Sequence, residues 1–151
     1  MPPTVFDSTC LIALERIARL DILPPLFPDI VVPAAVAEEF GSSPAWMTIR
    51  TVSNDFSSAV LRTQLHRGEA AAIALAAEIQ ADRLVLDDKK ARRIARELGL
   101  HPIGTVGVIL RAKREDIVPA CRPLLDALIR EGFYLSDSLY EEAVRQAGEA
   151  G

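Results

Sequence analysis

Arg83-Leu84-Val85-Leu86-Asp87-Asp88-Lys89 is the stretch that decides the fold. Three apolar residues in a row end in acid, and a helical pattern follows at once. This predicts a buried strand over 83–87 that runs directly into an amphipathic helix from Asp88 through Leu98, closed by Gly99. The N-terminus repeats the arrangement. Thr4 to Asp7 reads as a short buried strand, and Leu11, Ile12, Leu14, Ile17, Ala18 and Leu20 then recur at helical spacing. Ser8 or Thr9 can cap that helix.

Working outward, the same alternation continues. Leu23-Pro-Pro-Leu-Phe-Pro-Asp29 breaks the first helix and reads as a connection. Ile30 to Val32 is a second strand, Pro33 suits the first turn of a helix through Phe40, and Gly41 stops it. Trp46 to Val52 partly alternates, as an outer strand does. Phe56 to Leu65 is helical. Glu69 to Ile79, opened by Gly68, is apolar nearly all round and so should be buried. His101 to Ile103 is one more strand, with Thr105 capping a helix over 106–114. Val118 to Arg130 and Ser138 to Gln146 complete the helices. Strands alternating with helices imply parallel βαβ units. The expected organisation is one domain over 1–146, with a frayed tail at 147–151.

Composition narrows the function. The chain has 151 residues, half of them hydrophobic, with a net charge of −4 and two cysteines. That length buries a core without disulfides. Cys10 and Cys121 form no CxxC pair, and His66 and His101 lack metal-ligand spacing, which argues against zinc. No signal-peptide pattern or membrane-spanning run is present, so a cytoplasmic location with no membrane partner is expected. The acidic balance argues against a general nucleic-acid binder. Its basic residues are clustered, however: Lys89, Lys90, Arg92, Arg93 and Arg96 fall within eight residues.

In open parallel sheets, sites form beyond the carboxyl ends of the strands. Asp7 and the pair Asp87-Asp88 both lie there. Either could merely cap a helix; two converging strand ends favour a site. Glu69 stands at a helix start, and Glu38 and Glu39 end a helix where acid is locally unfavourable. Carboxylates packed together repel unless a cation joins them, and oxygen-only ligands select Mg²⁺ or Mn²⁺. Such an ion supports hydrolysis of phosphate esters. Lys89, Arg92, Arg93 and Arg96 share one helical face that could track a phosphate backbone; a solvated face is the competing reading. Gly104-Thr105-Val106-Gly107 is too short for a phosphate loop. Thr9 could bond a carboxylate or cap the helix.

The order of these acids resembles PIN-domain nucleases. Val5-Phe6-Asp7-Ser8-Thr9-Cys10-Leu11-Ile12-Ala13-Leu14 is similar to their opening strand and helix. Val32-Pro33-Ala34-Ala35-Val36-Ala37-Glu38-Glu39-Phe40, Gly68-Glu69-Ala70-Ala71-Ala72-Ile73-Ala74-Leu75-Ala76 and Leu84-Val85-Leu86-Asp87-Asp88-Lys89-Lys90-Ala91-Arg92 resemble the second, third and fourth motifs. Gly104 to Lys113 and Leu128 to Phe133 fit the subgroup related to VapC-type toxins. The resemblance implies a Rossmann-like α/β/α sandwich on a short parallel sheet. It implies Mg²⁺- or Mn²⁺-dependent cleavage of RNA, a homodimer and a cognate antitoxin. Carried over by position, Asp7, Glu39, Glu69 and Asp88 are the catalytic and metal-binding acids, with Glu38 and Asp87 as neighbouring alternatives. Thr9 is the supporting hydroxyl, and Lys89, Arg92, Arg93 and Arg96 hold the RNA. The third acid is Glu where many members have Asp. Two readings compete: a PIN-fold module that binds protein or RNA without cutting, and an aspartyl-nucleophile phosphatase. The second would need a further Asp where Thr9 stands.

Overall fold

The computed structural model describes residues 2–53, 55–81 and 83–150. Met1, Asn54, Asp82 and Gly151, which fall inside expected segments, lie outside the described residues. Five strands form one sheet: β1 (Thr4–Phe6), β2 (Ile30–Pro33), β3 (Met47–Arg50), β4 (Arg83–Val85) and β5 (Pro102–Ile103). Their order is β3-β2-β1-β4-β5, and every pair is parallel. The chain steps outward from β1 to β3, then returns to the other side of β1 for β4. The direction of winding therefore switches between β1 and β4. A switch point opens a crevice at the strands' carboxyl ends. Both acidic strand ends flank that crevice.

Side-chain alternation along each strand splits the core into two layers. Phe6, Val32 and Val85 face one side, and Val5, Val31 and Leu84 face the other. The first side carries α1 (Ser8–Arg16), α7 (Thr105–Arg114), α8 (Arg122–Arg130) and α9 (Asp137–Gln146), whose buried residues join the cluster around Phe6. The second carries α5 (Arg67–Glu78) and α6 (Lys89–Glu97). In α5, Gly68 and Ala70 to Ala76 are all buried, because small side chains let the helix lie close to the sheet. The result is the expected α/β/α sandwich. The rings of Phe6 and Phe27 meet edge to face with centroids 5.3 Å apart, and the Arg111 guanidinium lies 4.8 Å from the Phe27 centroid. Such contacts add to simple area burial.

The short α2 (Leu23–Leu26), α3 (Ala34–Phe40) and α4 (Asp55–Leu61) complete the helices. Several boundaries differ from the sequence reading. α1 stops at Arg16, where Ala18 turns left-handed at φ 58°, and a 3-10 turn follows over Leu20–Ile22. The Leu23–Asp29 connection contains the one-turn α2, since proline is tolerated in a first turn. The helix expected from Val118 begins only at Arg122, after Pro119. Residues 147–149, expected to fray, are tied down. The Glu149 carboxylate accepts from Lys113 Nζ at 3.0 Å, Cys121 N at 2.7 Å and Arg122 N at 3.1 Å. Among the described residues, no helix is long and apolar enough to cross a membrane.

Candidate active site at the β1–β4 crevice

Asp7 leaves β1 at its carboxyl end, with its N–H bonded to Val85 O across the crevice at 3.0 Å. Only 4% of the residue is exposed, and its Oδ1 is buried with no hydrogen-bond partner. Buried carboxylate oxygen is normally satisfied, so this orphan is the most unusual atom of the crevice. Burial is the main cause that raises the Asp7 carboxyl to about 7. The Ser8 N–H opposes it, and the charges of Glu69, Glu39 and Asp87 push it further up.

Glu39 reaches the same place from α3. A β-carbon on Gly68 would stand 3.3 Å from Asp7 Oδ1 and 3.5 Å from Glu39 Oε1. Gly68 therefore leaves open the space between the two carboxylates. The Ser8 hydroxyl donates to Glu39 Oε1. Glu38 faces elsewhere: its Oε2 pairs with Arg67 Nη1 at 2.9 Å, and both side chains are well exposed.

Glu69 lies in the first turn of α5, which begins one residue before the expected opening glycine. Its Oε1 accepts from the His66 N–H at 3.2 Å, so one oxygen serves as a helix cap. Burial also raises its carboxyl, partly offset by the His66 N–H and reinforced by Asp88. Asp88 is the N-cap of α6, with Oδ2 accepting from Ala91 N at 2.9 Å. Asp87 has both oxygens engaged by Thr105, from N at 2.8 Å and from Oγ at 2.6 Å. Thr105 was expected to cap α7. Gly104 holds that cap position instead, and the Thr105 hydroxyl turns back to Asp87.

Glu69, Asp87 and Asp88 line a cavity of about 590 Å³, with Thr9 and His66 also on its wall. Thr9 is exposed there; within α1 it is the Ser8 hydroxyl, one residue earlier, that bonds to a carboxylate, that of Glu39. The four basic residues of α6 differ in exposure. Lys89, Arg93 and Arg96 are exposed, whereas Arg92 is half-buried. Arg92 Nε is buried without a partner, and Nη1 lies 2.9 Å from where a Gly104 β-carbon would be. The cation on the cavity wall is Arg16, from α1.

Among the described residues, no three Asp, Glu, His or Cys side chains already form a cluster that could hold a metal ion. Glu69, Asp87 and Asp88 stand on the cavity wall, whereas Asp7 and Glu39 are not among its lining residues. Their chemistry still fits a hard cation. The donors are carboxylate oxygens, one buried oxygen has no partner, and the negative charges raise one another's proton affinity.

The family model DUF3368, described as a PIN domain, matches residues 3–149. The chain belongs to the PIN-domain family. Its parallel five-stranded sheet between helical layers is the PIN architecture, and PIN domains are generally nucleases that use divalent metal ions. A comparison with curated proteins gives no match.

Proposed function

We propose that this PIN domain is a metal-dependent endoribonuclease of the VapC-like kind, with Asp7, Glu39, Glu69 and Asp88 as its acidic ligands. The observation that carries this reading is the buried, unpartnered Oδ1 of Asp7 beside Glu39 at the β1–β4 switch point. Glu39 is preferred over Glu38 because Glu38 is paired outward with Arg67. Asp88 is preferred over Asp87 because both Asp87 oxygens are bonded to Thr105, whereas only one Asp88 oxygen caps a helix.

A bound Mg²⁺ or Mn²⁺ would supply Lewis acidity toward water and toward the phosphoryl oxygens. The protein's own residues do the rest. Asp7 and Glu39 present their carboxylates across the gap left by Gly68. Ser8 fixes the Glu39 oxygen that faces it. The low-dielectric floor around Asp7 strengthens each charge interaction made there. Lys89, Arg93 and Arg96, exposed on α6, can hold the phosphate backbone outside the cavity.

Asp7→Asn tests the reading. The variant should fold and lose Mn²⁺-dependent RNA cleavage, and undiminished cleavage would remove the mechanism. The competing reading is a PIN-fold module that binds without cutting, favoured by acids that form no cluster of three among the described residues. Calorimetric titration with Mn²⁺ separates the two, since the module need not bind it.

The same proposal includes a homodimer, an antitoxin protein that masks the site, and a cytoplasmic location. An apolar strip on the α4–α6 side supports association: Phe56 is 77% exposed and Leu98 54%. Sedimentation of the purified chain tests the dimer. Co-purification with the product of an adjacent small reading frame tests the antitoxin.

A further inference from the structure

A second cavity, of about 370 Å³, shares no lining residue with the one beside Glu69 and Asp88. Pro33, the last residue of β2, stands on its wall with Val52, two residues past β3. Its polar lining is Arg62, Arg67, Thr51 and Ser58, and no carboxylate lines it among the described residues. Arg62 lies in the turn after α4, where its N–H donates to Ser58 O at 3.0 Å. It forms no ion pair among the described residues. Arg67 is the first residue of α5, where the positive end of the helix disfavours a cation. Glu38 offsets little of this. Its Oε2 lies 2.9 Å from Arg67 Nη1, but the side chains are 65% and 62% exposed, and exposed pairs contribute little. Two like charges facing one cavity repel, and an anion between them turns that repulsion into attraction.

We infer that this cavity binds a small phosphate monoester, with its phosphate on Arg62 and Arg67 and its carbon skeleton against Pro33 and Val52. The guanidinium fork matches phosphate oxygens bidentately. A phosphate monoester is close to a dianion at neutral pH, so it balances both arginines where a single carboxylate balances one. The hydroxyls of Thr51 and Ser58 add donors of the kind that phosphate oxygens accept. The volume lies at the small end of ligand pockets, which suits a small molecule. Glu38 competes for Arg67, so the ligand displaces a weak surface pair rather than a buried one. The inference is independent of the nuclease reading, because Asp7, Glu39, Glu69 and Asp88 take no part in it.

The test is calorimetric titration of the full chain with inorganic phosphate and with glycerol 3-phosphate. The chloride buffer is freed of metal on a chelating resin, since EDTA is itself a polyanion. Both probes should bind saturably, and glycerol 3-phosphate the more tightly. Arg62→Gln and Arg67→Gln should each raise the Kd about tenfold. Glu38→Gln removes the competing carboxylate and should lower it. Arg93→Gln, on α6, should leave it unchanged. All four positions are exposed, so thermal melts should show every variant folded. No saturable binding by the wild-type chain, a Kd indifferent to Arg62 and Arg67, or an equal loss in Arg93→Gln would each overturn the site. Binding of inorganic phosphate with glycerol 3-phosphate refused would overturn the monoester assignment. Displacement of glycerol 3-phosphate by a short metal-free oligoribonucleotide would give the two arginines to a polymer backbone and overturn it likewise.

Discussion

Thr105 holds both carboxylate oxygens of Asp87, its N–H donating to Oδ1 and its hydroxyl to Oδ2 at 2.6 Å. Thr105 is fully buried and Asp87 half-buried, and the pair ties the segment after β4 to the start of α7. Thr105→Val keeps the shape and removes the hydroxyl. It should cost about 1–3 kcal/mol, the penalty for leaving a shielded acceptor short of a donor. Thr105→Ser should recover most of that. Urea denaturation provides the measurement, and a valine variant as stable as the wild type would show that water replaces the hydroxyl.

Gly68 offers a second, more selective handle. An added β-carbon would crowd Asp7 Oδ1 at 3.3 Å and touch Glu39 Oε1 at 3.5 Å. Alanine is also the better helix former, by up to about 1 kcal/mol. Gly68→Ala should therefore keep or slightly raise the melting temperature while weakening Mn²⁺ binding. Calorimetric titration and thermal melts on the same preparation read the two effects. Unaltered Mn²⁺ affinity would mean that the space between Asp7 and Glu39 is not where the ion sits.

Asp7 makes the metal-free protein pH-sensitive. Its carboxyl is raised from 3.8 to about 7, chiefly by burial. Between those values the folded chain keeps a proton that the unfolded chain has released. This contribution to stability is therefore fully present below the unfolded value and is lost as pH rises through about 7. In EDTA the Asp7→Asn variant should lack this part of the decline, so its melting temperature should fall less than that of the wild type between about pH 4 and pH 7. Mn²⁺ should oppose the loss in the wild type, because a cation favours the charged carboxylate. Parallel wild-type and variant slopes in EDTA would mean that Asp7 is already ionised in the fold.

The fold was legible because each strand carries its own punctuation. Leu84-Val85-Leu86 ending in Asp87, and Val5-Phe6 ending in Asp7, state both strand and exit. The misplaced boundaries came from tertiary contacts that no local pattern encodes. The Glu149 clasp on Cys121 and Arg122 joins segments 28 residues apart. The Thr105 hydroxyl prefers a partner 18 residues upstream to its own helix. At the candidate site, the sequence pattern puts forward acids but carries no sign of their hydrogen-bond partners. Ser8 reads as a cap from sequence, and only the packing of α1 against α3 turns its hydroxyl to Glu39.

Asp87 and Asp88 are adjacent in sequence yet differently held, and paired asparagine variants should separate their roles. Asparagine caps a helix about as well as aspartate. Asp88→Asn should therefore keep the Ala91 N–H bond and the stability of α6, while removing a charge from the cavity wall. Mn²⁺-dependent cleavage should fall steeply with little change in melting temperature. Asp87→Asn strikes the Thr105 contacts instead, replacing one of two acceptor oxygens with a donor amide. It should lower the melting temperature first, with activity at permissive temperature the less affected quantity. Thermal melts and cleavage rates on both variants decide the matter. The opposite pattern, a stable but inactive Asp87→Asn beside an active Asp88→Asn, would move the fourth ligand to Asp87.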